Sequence, residues 1–444
     1  MIELSPEVIT IIMMGAILLG VLTGFPLAIP IGGVGVIMGY LLFGPTSFEI
    51  IYARVYSLVT SYTLLAVPLF IFMGSMLEHS GIAEKMYDAL YMWLGGLKGG
   101  LAIITVLIGT IMAACVGIIA ASITMLALVA LPAMLKRGYN RSLASGAVVA
   151  GGCLGILIPP SIMLVIYGPM AWISVGKLFM AAFFPGFTLS ALYCGYIALR
   201  CFLQPELAPT IPLEERRVPY IKKTILLVTA MMPTAILILA VLGVIFLGIA
   251  APTEAAATGA FVATILAIVY RRFNLQVLRG TALVTLRLTS MILLIGSCAF
   301  AFVGIFLSAG CGKVVEELIL GTPGGRWGAF AIVMFIVFLL GFFIDWIGIL
   351  FIIVPIISPL APVLGFDPLW FAMMICVNLQ MSFMTPPFAP GIFFLRGSVS
   401  PELGVTMADI IRGVVPFVIL VMVGLGLCVA FPQIILWLPA QMIK

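Results

Sequence analysis

The chain has 444 residues, 64% of them hydrophobic and 8% charged, with a formal charge of +5. Soluble domains carry about 25% charged residues, so this composition excludes a water-soluble fold and makes the whole chain membrane domain. One histidine (His79), eight scattered cysteines without metal-ligand spacing and a Gly310-Cys311-Gly312-Lys313 stretch that lacks the phosphate-loop pattern exclude the usual catalytic, metal and ATP sites, and basic residues spread over separate loops argue against a nucleic-acid partner.

A spanning helix needs ~20 predominantly apolar residues. Stretches of that kind predict crossings at 9–24, 27–43, 62–82, 142–170, 178–199, 224–249, 252–270, 288–308, 368–395 and 413–438, about ten in all. Glu3 and Glu7, in place of a basic region, precede the first, which is therefore expected to be a retained helix. Two further stretches, 99–135 and 327–363, are too long for one helix and have polar or glycine-containing middles. Both predict re-entrant helical hairpins, which lipid tolerates only inside a protein cavity.

Placing the loop Lys136-Arg137-Gly138-Tyr139-Asn140-Arg141 in the cytoplasm leaves Arg54, Lys177, Lys313, Arg326 and Lys444 outside and 16 of the 21 basic residues inside. That split obeys the positive-inside rule and gives the two hairpins opposite orientations. A shift of 227 positions lays Pro159-Pro160 on Pro386-Pro387 and Pro132 on Pro359. Residues 1–203 and 224–444 thus read as inverted repeats joined by a charged cytoplasmic linker, 204–223. The expected fold is an all-α polytopic membrane protein with an inverted repeat, two re-entrant hairpins and two broken helices, an arrangement that places a substrate site at midplane.

The segment Gly151-Gly152-Cys153-Leu154-Gly155-Ile156-Leu157-Ile158-Pro159-Pro160-Ser161 cannot be one helix, because two prolines lack N–H donors and bias the preceding residues to extended geometry. The break is expected to free carbonyls near Gly155 and Ile156 and to start a half-helix near Pro160. Free carbonyls take cations and helix N-termini take anions. The matching break, Asn378-Leu379-Gln380-Met381-Ser382-Phe383-Met384-Thr385-Pro386-Pro387, adds two carboxamides and two hydroxyls. A proline kink that only shapes packing is the bland alternative, and two symmetric copies weigh against it.

Asp345 sits in the middle of the second hairpin, where a carboxylate is expensive and by default functional; a hydrogen bond at the hairpin turn is the structural alternative. Glu254, in Ala251-Pro252-Thr253-Glu254, reads first as an N-terminal cap. Ser122 and Thr124 are the only hydroxyls of the first hairpin tip, 115–124, and either face a ligand or bond back to the i−4 carbonyl. The 25 methionines and 30 phenylalanines are assigned to packing and lipid contact.

The motifs Val67-Pro68-Leu69-Phe70, Ser80-Gly81-Ile82-Ala83-Glu84, Leu131-Pro132-Ala133-Met134, Arg137-Gly138-Tyr139, Gly155-Ile156-Leu157-Ile158-Pro159-Pro160-Ser161 and Thr385-Pro386-Pro387 resemble, in order and over nearly the full chain, the large membrane subunit of TRAP (tripartite ATP-independent periplasmic) transporters. Asp345-Trp346, Asn378-Leu379-Gln380 and Arg412-Gly413-Val414-Val415-Pro416-Phe417 look like the branch associated with mannitol or chloroaromatic compounds and 2-oxo acids. The resemblance implies a secondary active transporter of the bacterial inner membrane, not an enzyme, with no cofactor and Na+ as coupling ion. It implies an elevator motion, a periplasmic substrate-binding protein and a small four-helix membrane subunit as partners, membrane lipid around the chain and a small organic anion as substrate.

Carried over by position, one sodium ion would use Gly155, Ile158 and Pro160 with Gly117 of the first tip; another would use Ser382, Thr385 and Pro387 with the second hairpin, where Asp345 lies. Ser122, Thr124, Ser161, Asn378 and Gln380 are the substrate-binding candidates. The chain departs from better-known members in two places: Val116-Gly117-Ile118 stands where the first tip reads Ser-Gly-Ser, and Ser382 where a glycine is usual. A less polar tip suits a monocarboxylate or 2-oxo acid better than a sialic-acid-like sugar. A stand-alone sodium/carboxylate symporter, working without a binding protein, is the alternative.

Overall fold

The structure, a computed structural model, describes residues 4–210 and 219–442; Glu3, Lys444 and the Arg216-Arg217 pair of the expected linker lie outside the described residues. The first half opens with α1 (Pro6–Leu22), α2 (Ala28–Phe43), α3 (Thr46–Val59), α4 (Ala66–Glu78) and α5 (Ile82–Leu94). A hairpin of α6 (Gly100–Val116) and α7 (Ile119–Lys136) precedes the broken pair α8 (Arg141–Cys153) and α9 (Ile162–Ala171) and the long α10 (Val175–Leu203). In the second half α11 (Tyr220–Ile238) continues through a π-helical turn into α12 (Val244–Phe246), followed by α13 (Pro252–Val269), α14 (Leu275–Ser308) and α15 (Cys311–Leu320). Then come α16 (Gly325–Leu340), the short α17 (Trp346–Ile352), α18 (Val354–Ile357) and α19 (Leu360–Val363), the broken pair α20 (Pro368–Ser382) and α21 (Pro390–Ser398), and finally α22 (Met407–Ala430) and α23 (Gln433–Ala440).

The expectation of about ten crossings resolves differently. Among the described residues six helices are long and apolar enough to cross alone, and a seventh span arises if α3 and the stretch Tyr62–Glu78, bent by 51°, are counted together. Other apolar helices of 10–17 residues fall short of the ~20 of a full span, and include both hairpin entry legs, both pieces of the first broken helix and the first piece of the second, whose other piece, α21, has 9 residues. Helix α14 begins well before the predicted 288, because Arg279 and Arg287 hide its first turns from a hydropathy reading. Helices α5 and α15 escape such a reading altogether: α5 buries Ile82, Met86, Tyr87 and Leu90 at helical spacing and turns Glu84, Lys85 and Asp88 outward.

The halves interlock. Helices α6, α7, α8 and α9 begin at 100, 119, 141 and 162, and α16, α17, α20 and α21 begin at 325, 346, 368 and 390, close to the offset between the proline pairs. Helix α2 packs on α14 while α13 packs on α4, and α7 packs on α21 while α17 and α18 pack on α9. Each hairpin's return leg therefore lies against the broken helix of the other half. Two hydrogen bonds tie these crossings: Thr124 to Ser398 at 3.0 Å and Tyr167 to Ser358 at 3.3 Å. The symmetry is imperfect where proline and threonine intervene. Pro355, Pro359 and Pro362 divide the second return leg into three pieces, whereas α7 tolerates Pro132 as one helix. Thr60 donates to the Tyr56 carbonyl at 2.7 Å beside the bend after α3, while the corresponding α14 runs unbroken.

Glycines set the helix spacing around the breaks. A β-carbon at Gly146 of α8 would collide with the Gly413 carbonyl of α22, and one at Gly109 of α6 with the Gly151 carbonyl. Backbones in such contact gain dispersion energy that larger side chains would forbid, the usual packing of membrane helices. Helix α22 is started by a capping box: Thr406 Oγ1 accepts from the Asp409 N–H at 3.2 Å and an Asp409 carboxylate oxygen accepts from the Thr406 N–H at 2.9 Å. Thr406→Ala is expected to cost about 1 kcal/mol, read as a small fall in the thermal midpoint of the detergent-solubilised protein.

Candidate functional site

The first hairpin turns at Gly117, whose φ of +65° is left-handed, and at extended Ile118. A β-carbon at Gly117 would stand 3.2 Å from the Pro160 carbonyl oxygen, and one at Gly155 would stand 3.0 Å from Ser122 Oγ and 3.7 Å from the Ile118 carbonyl oxygen. Folding thus brings Gly117, Ser122, Gly155 and Pro160 together, the first hairpin tip lying in the first break. A short 3-10 turn, Leu154–Ile156, bridges that break, and Leu154 accepts from the Leu157 and Ile158 N–H groups. The Ile156 carbonyl, expected to be free, instead accepts the Ser161 hydroxyl. Ser122 Oγ is buried and has no hydrogen-bond partner among the described residues, so neither back-bonding nor another side chain explains it. Thr124 is spent on Ser398.

In the second break Ser382 ends α20 and faces Gly341, the residue that closes α16; a β-carbon on Gly341 would fall on the Ser382 side chain. Ser382 Oγ and both carboxamide atoms of Gln380 are buried without partners among the described residues. Unpaired buried polar atoms cost about 1–3 kcal/mol each, and such clusters in membrane proteins mark ligand sites. Asn378 donates to the Met334 carbonyl at 2.7 Å, fastening α20 to α16. Thr385 donates to the Met381 carbonyl at 2.7 Å. Pro386 and Pro387 are exposed, whereas Pro159 and Pro160 are buried, and both Pro-Pro bonds are cis.

Asp345 lies at the turn between α16 and α17, where it accepts from the Trp346 N–H at 2.9 Å as N-cap. It also faces a cavity of ≈120 Å³ that both hairpin tips line, through Gly117 and Ile118 on one side and Asp345 and Trp346 on the other. Ile156 and Ile162 of the first broken helix and Pro390 and Phe394 of the second reach the same space, and Leu288, Met291 and Ile292 of α14 close it. These α14 residues, and Ile71 of α4, which also lines the cavity, carry no polar signal, and only their position in the fold reveals their part. Apart from Asp345 the side chains lining this cavity are apolar, and no basic one reaches it among the described residues. Ser122, Ser161, Asn378 and Gln380 are buried and do not line this cavity. Glu254 lies elsewhere, accepting from the Ala251 N–H at 2.9 Å, the capping role read from its sequence.

A family described as "Tripartite ATP-independent periplasmic transporter, DctM component" matches residues 14–434. The chain is 30% identical over 404 residues to the C4-dicarboxylate TRAP transporter large permease protein DctM of Pseudomonas aeruginosa, covering 90% of this chain and 91% of that one. It is 26% identical over 432 residues to the ectoine TRAP transporter large permease protein TeaC of Halomonas elongata, covering 97% and 98%. Among solved structures, the YdaH transporter of Alcanivorax borkumensis shares the fold with a TM-score of 0.58 at 17% identity, over 86% of this chain and 88% of that one.

Proposed function

The chain belongs to the DctM component family of tripartite ATP-independent periplasmic transporters and is a multi-pass transporter of the bacterial inner membrane, and from that premise we propose that it takes up a small organic anion, a monocarboxylate or 2-oxo acid, together with sodium. A periplasmic binding protein delivers the anion, a small four-helix subunit completes the membrane complex, and the two hairpins move with the broken helices as an elevator against α1–α4, α11, α13 and α14. The narrower kinship with the mannitol/chloroaromatic and 2-oxo acid branch belongs to the same reading.

The observation that carries it is the ≈120 Å³ cavity where both hairpin tips meet. Its size is well under the ~300–1,000 Å³ of drug-sized pockets, and its apolar walls suit a ligand with few hydroxyls. Among the described residues an anion there finds no basic side chain and one carboxylate, Asp345. Bound cations are the physical remedy. Ser382, Gln380 and Ser122, buried and without partners among the described residues, together with the carbonyls of Gly155, Ile158 and Pro160 on one side and of Pro387 beside Thr385 on the other, are the oxygens offered for them.

The energetics suffice. With two sodium ions per monoanion, a tenfold gradient gives ~1.4 kcal/mol per ion and 100 mV adds ~2.3 kcal/mol for the net charge. The sum of ~5 kcal/mol supports accumulation of roughly a thousandfold or more. Reconstituted with its partners, the protein should take up pyruvate or a related acid in sodium and stop when potassium replaces it. Uptake that persists in potassium would overturn sodium coupling, and uptake by this chain alone would overturn the need for a binding protein.

A further inference from the structure

Above the central site, on the side that the distribution of basic residues assigns to the outside, two adjoining cavities of ≈420 and ≈590 Å³ share Ser57, Pro169, Met170, Trp172 and Phe300. They form one vestibule, in the range of small-molecule pockets. It lies between α3, the end of α9, the start of α13 and the return leg of the second hairpin.

Helix α14 connects this vestibule to the central cavity. Leu288 and Ile292 line the cavity and Phe300, Val303 and Leu307 the vestibule, on one face of the helix. Eight residues from Ile292 to Phe300 amount to about 12 Å along the axis. Between the two levels Gly296 is covered by Phe351 and Leu58, both buried, and Phe351 packs edge-on against Phe300 with ring centroids 6.2 Å apart. The outer space is therefore separated from the inner one by an apolar barrier.

Among the described residues lining the vestibule, Arg54 alone is charged. Its stem lies on α14 where Gly304 has no side chain, since a β-carbon there would come within 2.7 Å of Arg54 Cγ. Arg54 is exposed, and its guanidinium has no ion-pair or hydrogen-bond partner among the described residues. A plain snorkelling arginine reaches for headgroups along lipid-facing surface; this one shares a cavity with the hydroxyls of Ser57 and Ser358.

We propose that Arg54 makes the outer vestibule an anion-receiving site, where a small carboxylate pairs with the guanidinium before it passes the Leu58–Phe351 barrier. The choice of a carboxylate rests on the organic-anion reading above. A planar guanidinium matches a carboxylate bidentately, and one fixed positive charge in a recess raises the local concentration of anions. The arrangement also divides labour: a basic side chain captures the anion outside, and sodium is left to hold it in the cavity that has none.

Trp172 lines both cavities and is 95% exposed, so its indole reports on the site. The test uses the full chain in detergent, with Trp172→Phe subtracted to isolate that emission. Iodide should quench it more strongly than caesium, and pyruvate or succinate, at constant ionic strength, should protect it. Arg54→Gln should raise the carboxylate concentration needed for protection about tenfold, the loss of one charged hydrogen-bonded pair. Unchanged protection in Arg54→Gln, equal quenching by both ions, or protection by phosphatidylglycerol with none by carboxylates would overturn the proposal. Should the glutamine variant fail to fold, Arg54→Lys decides: protection weakened severalfold supports the bidentate pair, and unchanged protection opposes it. The measurement needs neither a sodium gradient nor a binding protein, so its failure is distinct from a failure of uptake.

Discussion

Asp345→Asn is expected to lower sodium-driven uptake about 100-fold or more while leaving the thermal midpoint close to that of the wild type. Opposite charges ~4 Å apart at an effective dielectric near 20 attract by ~4 kcal/mol, and ~2.7 kcal/mol already corresponds to that 100-fold. The substitution separates the two roles that the geometry gives this side chain. As N-cap of α17, Asp345 accepts from the Trp346 N–H, and asparagine caps as well as aspartate. As the only carboxylate among the described residues that line the central cavity, it supplies a charge that asparagine lacks. Asp345→Ala removes both and should additionally cost about 1 kcal/mol of stability. Initial rates in proteoliposomes across a sodium series, beside thermal unfolding in detergent, would decide. Full sodium-dependent uptake by Asp345→Asn would reduce Asp345 to a cap.

The sequence carried the breaks and the charge because both are local. Two consecutive prolines cannot be helical wherever they fall, and a carboxylate in an apolar run is anomalous before any fold is known. The offset that lays one proline pair on the other was likewise visible, and the chain folds with α6–α9 and α16–α21 at nearly that offset. What stayed hidden is what only packing decides. Hydropathy reports how apolar a stretch is, not whether it runs straight, so the bend after α3 and the unbroken course of α14 could not be told apart. Helical periodicity reports a helix's own faces and not its partners. Nothing local announces that Gly117 lies under Pro160, that Thr124 reaches Ser398 across the halves, or that Met291 and Ile292 close the central cavity. The expectation of a free Ile156 carbonyl failed for the same reason: a break exposes acceptors, and the nearest hydroxyl, Ser161, takes one.

Gly341→Ala is expected to disable the protein, and Ser382→Gly, added to it, to restore folding. Gly341 has an ordinary right-handed conformation, so alanine meets no backbone penalty there. The obstacle is space alone, because the new β-carbon would fall on Ser382, and overpacking of this kind costs about 1–3 kcal/mol. Relief by displacement would push α16 from α20 and move the hairpin that carries Asp345. A loss of uptake of about tenfold or more should therefore accompany the fall in thermal midpoint, since misplacement by ~1 Å is enough for that. Removing the Ser382 side chain frees the volume and deletes a buried hydroxyl without a partner, at a cost of ~1 kcal/mol for glycine at the helix end. The double variant thus separates packing from ion binding. If the Ser382 hydroxyl holds sodium, stability returns while the sodium concentration for half-maximal uptake stays raised. If both return, the hydroxyl is no ligand and backbone carbonyls alone make the second site. A Gly341→Ala protein as stable as wild type would instead show that α16 and α20 are not in the contact described.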